Sequence, residues 1–402
     1  MIAKAQSILI AGAGIAGLSA ALAFARRGAD VQIFERAEKL EEVGAGLQLS
    51  PNATRFLSRI GVLDELMETA VEPDAIVLRR ADTLREIGRV PLGQAARARW
   101  GSPYLVSHRA DLQRALLNAV ARQSSIKLST NAPVSDIDLE SDAPRIAVGR
   151  HDGERDVSGR LIVGADGVWS TIRALSGKVG ESRFVGQIAW RRTMATDSPA
   201  AQALLAACPG RCVTAFLHPG FHMIAYPVRG GKAINLAAFT PTRVEMSTGW
   251  SHEGQTSKLQ KAMYGTAPAV AALATDGDWL AWPIHVADLD APWSAPVGLA
   301  LIGDAAHAMT PFAAQGAAMA IEDAETLAAR TVDTPDLAAA LHTWTVERRR
   351  RVLKVARRGA FNHFAWHAWG PAATARDLVL KMRSPESLMA DMDWLYGWDG
   401  PI

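Results

Sequence analysis

The stretch Gly12-Ala13-Gly14-Ile15-Ala16-Gly17 decides the fold of this chain. A short apolar run, Ser7 to Ala11, precedes it, and Leu18 to Arg27 and Val31 to Glu35 follow it as a predicted helix and a predicted second strand. The first glycine permits a tight turn, the second lets the backbone approach a phosphate, and the third lets the helix pack on the strand. Such a βαβ unit opens a parallel sheet and indicates a dinucleotide-binding domain, with the start of the helix facing the anion.

The carboxylate of Glu35 strengthens this interpretation. It ends the second predicted strand, 18 residues after Gly17, where a carboxylate accepts hydrogen bonds from a ribose. The uncharged run from Ile8 to Ala25 also resembles a signal peptide or a membrane span. Its three glycines fit a strand, a turn and a helix better, so we expect no membrane partner.

Two further glycine-acid stretches occur later, Gly164-Ala165-Asp166-Gly167 and Gly303-Asp304-Ala305-Ala306-His307. Each follows a short apolar strand and precedes a predicted helix. An aspartate in that place can bind a polyol such as a ribityl chain, although it could instead cap the helix that follows. The order of the three stretches indicates FAD rather than a nicotinamide dinucleotide alone.

The middle of the chain has a different pattern. Alternating segments at 210–216, 222–228 and 233–239 are separated by glycine turns and predict an antiparallel sheet. We therefore expect an α/β fold with an FAD-binding Rossmann-like domain, an inserted antiparallel-sheet substrate domain and a helical C-terminus. The predicted domains are 1–177 with 291–335, 178–290, and 336–402.

Composition limits the partners. A formal net charge of +2 is too small to indicate a nucleic-acid partner. The two cysteines, Cys208 and Cys212, form neither a disulfide framework nor a zinc-binding pattern. We therefore expect a reducing, cytoplasmic location and no metal site.

Several longer stretches carry a resemblance that runs nearly end to end. They are Gly44 to Asn52, His108 to Leu112, Gly303 to Gly316, Ile321 to Ala324 and Asp393 to Asp399. In these stretches the chain resembles the single-component, FAD-dependent aromatic hydroxylases, the group of salicylate, 3-hydroxybenzoate and 6-hydroxynicotinate hydroxylases. One departure is His307-Ala308, where the family commonly has His-Pro.

The resemblance implies a set of cofactor contacts. Arg36 and Val134 are expected near the adenosine end, and Gln48 and Arg109 near the ribityl and pyrophosphate groups, although Arg109 could instead form a surface salt bridge. Asp304, Gly316 and Ala317 are expected to hold the ribityl chain and the isoalloxazine. The full predicted set is Gly12, Gly14, Ile15, Ala16, Gly17, Glu35, Arg36, Gln48, Arg109, Val134, Asp166, Asp304, Gly316 and Ala317.

The resemblance also implies the chemistry. NADH or NADPH reduces FAD, O2 adds to give a flavin C4a-hydroperoxide, and an electron-rich ring attacks its distal oxygen. A general base near the ring hydroxyl is valuable because a phenolate is the better nucleophile. His222 and Tyr226, four apart on a predicted strand, share a face and are the predicted catalytic pair.

Alternatives to this pair remain open. His222 could be a satisfied strand histidine and Tyr226 a core aromatic residue. His218 is the rival base, and His307 is expected to pack under the flavin. Arg191 could bind a substrate carboxylate or form a surface ion pair. The basic run from Glu347 to Arg351 is expected to be a solvated helix face.

Three functions follow from this reasoning. The first is NAD(P)H-dependent hydroxylation of a small phenolic acid such as salicylate, hydroxybenzoate or hydroxynicotinate. The second is a tailoring oxygenase for a larger polyketide or quinone-like substrate. The third is a flavin-binding redox protein without hydroxylation, against which the histidine–tyrosine pair argues. A homodimer is compatible with the resemblance.

Overall fold

A computed structural model of the protein describes residues 7–40, 45–141, 143–150, 153–177, 182–243, 252–253 and 256–400. Gly44, the first residue of one of the stretches that carry the resemblance, lies outside the described residues.

The strands are β1 (Ser7–Ala11), β2 (Asp30–Phe34), β3 (Gly46–Leu49), β4 (Ala75–Arg80), β5 (Glu86–Pro91), β6 (Leu105–His108), β7 (Ile126–Ser129), β8 (Val134–Asp138), β9 (Arg145–Arg150), β10 (Gly153–Ser158), β11 (Leu161–Gly164), β12 (Arg183–Ala195), β13 (Cys212–His218), β14 (Phe221–Val228), β15 (Ala233–Pro241), β16 (His252–Glu253), β17 (Leu280–Val286), β18 (Ser294–Ala295) and β19 (Leu299–Leu301).

The helices are α1 (Ile15–Ala25), α2 (Pro51–Arg59), α3 (Leu63–Met67), α4 (Gln94–Trp100), α5 (Arg109–Ala121), α6 (Thr171–Leu175), α7 (Pro199–Ala207), α8 (Thr256–Met263), α9 (Pro268–Ala271), α10 (Asp304–His307), α11 (Gly316–Thr331), α12 (Leu337–Trp366), α13 (Gly370–Met382), α14 (Pro385–Ala390) and α15 (Asp393–Tyr396).

A six-stranded sheet holds the predicted βαβ unit. Its order is β18-β19-β11-β1-β2-β7, and every neighbouring pair is parallel except β18 with β19. Ile10 of β1 lies between Val163 and Ile33, and all three side chains are fully buried. Helix α1 packs against β1, β2 and β7, and helices α5 and α11 pack against α1 in turn. The apolar strands are thus covered by helices, as in other parallel sheets. The Rossmann-like part of the predicted fold is confirmed.

An eight-stranded sheet forms the second layer, in the order β16-β17-β12-β15-β14-β13-β4-β5. Its strands are antiparallel apart from the parallel pair β13 and β4. The predicted antiparallel sheet is confirmed, but two of its strands, β4 and β5, come from residues 75–91, ahead of the predicted 178–290 segment. Arg79, Arg80, Glu86 and Arg89 interrupt the apolar alternation there and keep this edge of the sheet polar. The division of the chain into domains stays a proposal.

The C-terminal part is helical, as predicted. Helix α12 spans 30 residues and packs against α11. Leu341, Trp344, Val352 and Val355 form its buried face. Among the described residues, no helix combines the length and the apolar character needed to cross a membrane.

Candidate active site

The glycine loop forms an open cradle at the start of α1. Gly12 has a φ of +103°, and a Cβ there would lie 2.6 Å from the Ala165 carbonyl oxygen. A Cβ at Gly17 would lie 1.9 Å from the Gly12 carbonyl oxygen, so both positions need glycine for the loop itself. At Gly14, by contrast, a Cβ would meet nothing within 4 Å. The first turn of α1, whose N–H groups lack partners within the helix, therefore begins beside open space that fits a pyrophosphate.

Glu35 ties this loop to the end of β2. Its Oε2 accepts a hydrogen bond from the Ala13 N–H (2.8 Å), and its Oε1 accepts one from the Ala37 N–H (2.9 Å). Each carboxylate oxygen retains a further lone pair, which is what the predicted ribose contact needs. Arg36 is exposed beside it.

The two aspartates of the later glycine stretches differ. Asp166 accepts hydrogen bonds from Ser170 Oγ (2.5 Å) and the Ile172 N–H (3.1 Å), which fits the helix-capping alternative. Asp304 is the first residue of α10 and does not cap it, since Gly303 holds the cap position without a side-chain bond. Its side chain is exposed and makes no hydrogen bond to another described residue, which leaves it available to a polyol.

The other predicted cofactor residues lie on different elements. Gln48 Oε1, on β3, accepts a hydrogen bond from the buried Tyr104 hydroxyl (2.7 Å). Arg109 opens α5, and Val134 lies at the start of β8 in a separate three-stranded sheet. Gly316 and Ala317 begin the 16-residue α11, whose start carries no side-chain cap. Its first N–H groups are thus free to meet a ligand.

One face of the eight-stranded sheet carries the predicted catalytic pair. His222 pairs with Phe239, Tyr226 with Asn235, and Ile224 with Ala237, which itself pairs with Arg191. Directly paired residues point to the same face, and so do residues two and four apart on one strand. His222, Tyr226, Asn235 and Arg191 therefore share a face, as the four-residue spacing predicts for the first two.

Tyr226 is held tightly on this face. It hydrogen-bonds to the Asn235 side chain, and Asn235 Oδ1 accepts from the Gly46 N–H at 2.6 Å. A Cβ at Gly46 would lie 2.7 Å from Tyr226 Cε2, so the backbone of β3 presses directly on the ring. Burial raises the pKa of Tyr226, against the opposing charge of Arg191, and the phenol stays protonated at neutral pH.

His222 is fully buried in an aromatic box. Its ring stacks on Phe239 with centroids 4.6 Å apart, and Phe312 and Trp366 meet it edge-on at 5.3 and 5.0 Å. Burial, with smaller contributions from His367 and His363, holds its pKa well below the ordinary value. The imidazole is therefore neutral at pH 7, and one of its two ring nitrogens carries a lone pair.

Arg191 lies half-buried on the same face. Burial lowers its pKa, Tyr226 and Asp304 oppose that shift, and the nearby charge of Arg109 adds to it. Its Nε has no hydrogen-bond partner in the described part of the chain, and no described residue forms an ion pair with it. The alternative of a surface ion pair is therefore wrong for the described residues, where Arg191 lies half-buried near Tyr226 without an ion-pair partner.

A buried ionic network lies behind the third glycine stretch. Asp323 accepts hydrogen bonds from the Gly303 N–H (2.9 Å), His307 Nε2 (2.5 Å) and Arg348 Nε (2.7 Å). Burial alone would raise the pKa of Asp323, but His307 and Arg348 lower it to about 2. His307 is thereby fixed as a donor to Asp323, which fits the expectation that it packs rather than acts as a base.

The basic run of α12 is only partly solvated, which corrects the sequence-based expectation. Arg348 and Arg351 both bond to the fully buried Glu322, at 2.7 and 2.6 Å. Asn52 Nδ2 also donates to Glu322 (2.7 Å). The sequence did contain a signal, because the acidic pair Glu322-Asp323 inside an apolar helix needs buried countercharges.

Two histidines of the C-terminal helical region were missed. His367 Nε2 lies 3.3 Å from His222 Nδ1, and the rings of His363 and His367 are 4.4 Å apart. The signal was their four-residue spacing, which places both on one side of a helix. His218, the rival base, is bound locally through Nδ1 to the Gly220 N–H (3.1 Å).

Comparisons with known proteins agree with this geometry. A family described as an FAD binding domain matches residues 5–358. The chain is 33% identical over 394 residues to 3-hydroxybenzoate 6-hydroxylase 1 of Aquipseudomonas alcaligenes, covering 98% of each protein. It is 30% identical over 355 residues to 6-hydroxynicotinate 3-monooxygenase of Bordetella bronchiseptica, covering 87% of this chain and 89% of that protein.

The solved structure of a salicylate hydroxylase substrate complex shares the fold. The TM-score is 0.81 at 24% identity, over 98% of this chain and 96% of that one. The resemblance seen in the sequence is thus confirmed, as is FAD as the cofactor. The chain belongs to the FAD-dependent aromatic hydroxylases.

Proposed function

We propose that this chain is an NADH- or NADPH-dependent monooxygenase that hydroxylates a small phenolic acid. Candidate substrates are 3-hydroxybenzoate, a hydroxynicotinate and salicylate, which match the names of similar proteins. When bound, FAD supplies the redox chemistry, which includes reduction by the nicotinamide and activation of O2. The residues of this chain bind the ring, exclude water and move a proton.

The observation that carries the proposal concerns one atom, Nε2 of His222. This atom is buried and has no hydrogen-bond partner among the described residues. An unpartnered buried acceptor is costly unless a ligand supplies a donor. A substrate hydroxyl is such a donor, and its proton would pass to Nε2 to leave the more reactive phenolate. Tyr226, on the same face, would orient the ring through its hydroxyl.

Arg191 fits the acidic group of the substrate. A guanidinium whose buried Nε has no partner among the described residues can form strong, charge-assisted hydrogen bonds to a carboxylate. In this arrangement the carboxylate is held near β12 and the phenol near β14. The predicted FAD-binding residues, including Asp304 and the glycine loop, complete the proposed site.

The experiment is oxidation of NADH and NADPH by the purified, FAD-loaded protein with each candidate acid, with products identified by mass. We expect substrate-stimulated oxidation and a product that gains one oxygen, and loss of CO2 would identify salicylate-type chemistry. If none of these acids stimulates NADH or NADPH oxidation, a larger substrate is favoured. Oxidation that does not depend on any added substrate would favour a redox protein. A cytoplasmic location and a homodimer are further parts of the proposal, the latter checked by light scattering.

A further inference from the structure

The residue behind His222 fixes its protonation state. His367 follows the last residue of α12, and its Nδ1 lies 2.7 Å from the carbonyl oxygen of His363. A carbonyl oxygen can only accept, so His367 Nδ1 must carry a proton. In the neutral imidazole its Nε2 then has a lone pair.

That lone pair determines the tautomer of His222. His367 Nε2 is 3.3 Å from His222 Nδ1, and two lone pairs cannot face each other at a hydrogen bond. His222 Nδ1 therefore carries the proton and donates it to His367. The other nitrogen of His222, Nε2, is consequently the unprotonated one, and it is the buried atom without a partner in the described ranges.

We propose that His367 is a positioning residue that holds His222 in the Nδ1–H tautomer and then accepts the displaced proton, so that the two imidazoles form a relay. This inference rests on the proposed role of His222 as the base.

The proton balance of the relay is simple. The substrate O–H bond breaks and a bond from that proton to His222 Nε2 forms. The Nδ1–H bond of His222 breaks and an N–H bond at His367 Nε2 forms. The Nδ1–H group of His367 meanwhile keeps its hydrogen bond to the His363 carbonyl oxygen. The positive charge thereby moves from a fully buried ring to a partly exposed one. Desolvation favours that transfer.

The surroundings leave the relay to histidine alone. The titratable and charged groups around His367 are His222 from β14, His363 from α12, His218 at the end of β13 and Arg376 from α13, which donates to the Trp366 carbonyl. No carboxylate in the described part of the chain bonds to either imidazole. The partner that orients the base is therefore itself a base, and it can accept from His222 only while neutral.

A direct test reads the tautomer in the FAD-loaded protein labelled with 15N-histidine, by long-range proton–nitrogen NMR. We expect His222 Nε2 to be unprotonated in the wild type and in His367→Gln, whose amide oxygen can still accept from Nδ1–H. In His367→Leu the acceptor is gone, and we expect the Nε2–H tautomer to appear. An Nε2–H tautomer in the wild type, or no change in His367→Leu, would overturn the proposal.

A kinetic test separates holding from relaying, with 3-hydroxybenzoate as the probe. General acid–base catalysis contributes roughly 10²–10⁴-fold, so we expect kcat to fall roughly 10- to 100-fold in His367→Leu with KM nearly unchanged. The kcat of His367→Gln should fall less than that of His367→Leu. The acid limb of the kcat–pH profile should also shift in His367→Gln, because the neutral amide cannot be protonated. His342→Gln, on the exposed face of α12, is the matched control and should behave as wild type.

The outcomes distinguish the relay from the proposed function. A wild-type rate in His222→Gln would remove the base itself, whatever His367 does. A large loss in His222→Gln together with a wild-type rate and pH profile in both His367 variants would overturn the relay alone. Should His367→Leu fail to retain FAD, the spectra and pH profile of His367→Gln decide.

Discussion

The glycine loop consists mainly of backbone atoms, whereas the catalytic face of the eight-stranded sheet consists of side chains. In the loop, Gly12 lies against the backbone of Ala165 and Gly17 lies against the carbonyl group of Gly12. The catalytic face is made of side chains from β12, β14 and β15, completed by His367, which is 145 residues from His222. A backbone site is thus encoded locally, whereas a side-chain site depends on strand register and on how a distant helix ends.

The largest expected effect comes from a substitution that disrupts FAD binding at the glycine loop and leaves the catalytic face unchanged. In Gly14→Val the side chain would enter open space, so the chain should fold, but that space is needed for the pyrophosphate. We expect a colourless protein with wild-type circular dichroism that does not take up added FAD. Gly17→Ala is the contrast, because its Cβ would collide with the Gly12 carbonyl and lower thermal stability as well. A yellow Gly14→Val protein would contradict the assignment.

The next largest effect comes from a substitution that removes the proposed base on the catalytic face and leaves the glycine loop unchanged. We expect His222→Gln to retain FAD and to lower kcat roughly 10²–10⁴-fold, because the proton acceptor is removed. His218→Gln is the matched control, since His218 bonds only to the local Gly220 N–H in the described structure and should leave turnover near wild type. Turnover is measured with whichever acid of the panel stimulates NAD(P)H oxidation. The reverse pattern would make His218 the base.

The same contrast explains how much could be predicted from the sequence. The βαβ unit and the shared face of His222 and Tyr226 followed from local periodicity, which strands and helices impose directly. Strands β4 and β5 did not, because charged residues at a sheet edge hide the alternation. The aromatic box and His367 depend on tertiary pairing that a single sequence does not display. The burial of Arg348 was in principle predictable from Glu322 and Asp323.

A smaller effect sharpens the role of Arg191. Hydrogen bonds to charged groups contribute about 1.5–3 kcal/mol, so Arg191→Gln should raise KM for a hydroxybenzoate by about 10- to 100-fold. The KM for the corresponding phenol without a carboxylate should change little. Arg192→Gln is the control on the opposite face of β12, where Arg192 pairs with Asp276 at 3.1 Å. Equal losses with both ring compounds would show that Arg191 does not hold the carboxylate.

The smallest effect concerns stability, and it arises only on the catalytic face. The folded protein keeps His222 neutral because burial lowers its pKa, whereas an unfolded histidine titrates near 6.5. Below about pH 6.5 the unfolded chain therefore binds a proton that folded His222 does not, so the free energy of unfolding falls as the solution is acidified. The slope from His222 is at most about 1.4 kcal/mol per pH unit, and it vanishes above pH 6.5 and again below the folded pKa. Denaturant titrations from pH 8 to 5 at fixed FAD should thus show a shallower slope in His222→Gln than in wild type or His342→Gln. Parallel slopes would mean that folded His222 takes up its proton as readily as the unfolded chain, which a ring enclosed by Phe239, Phe312 and Trp366 should not do.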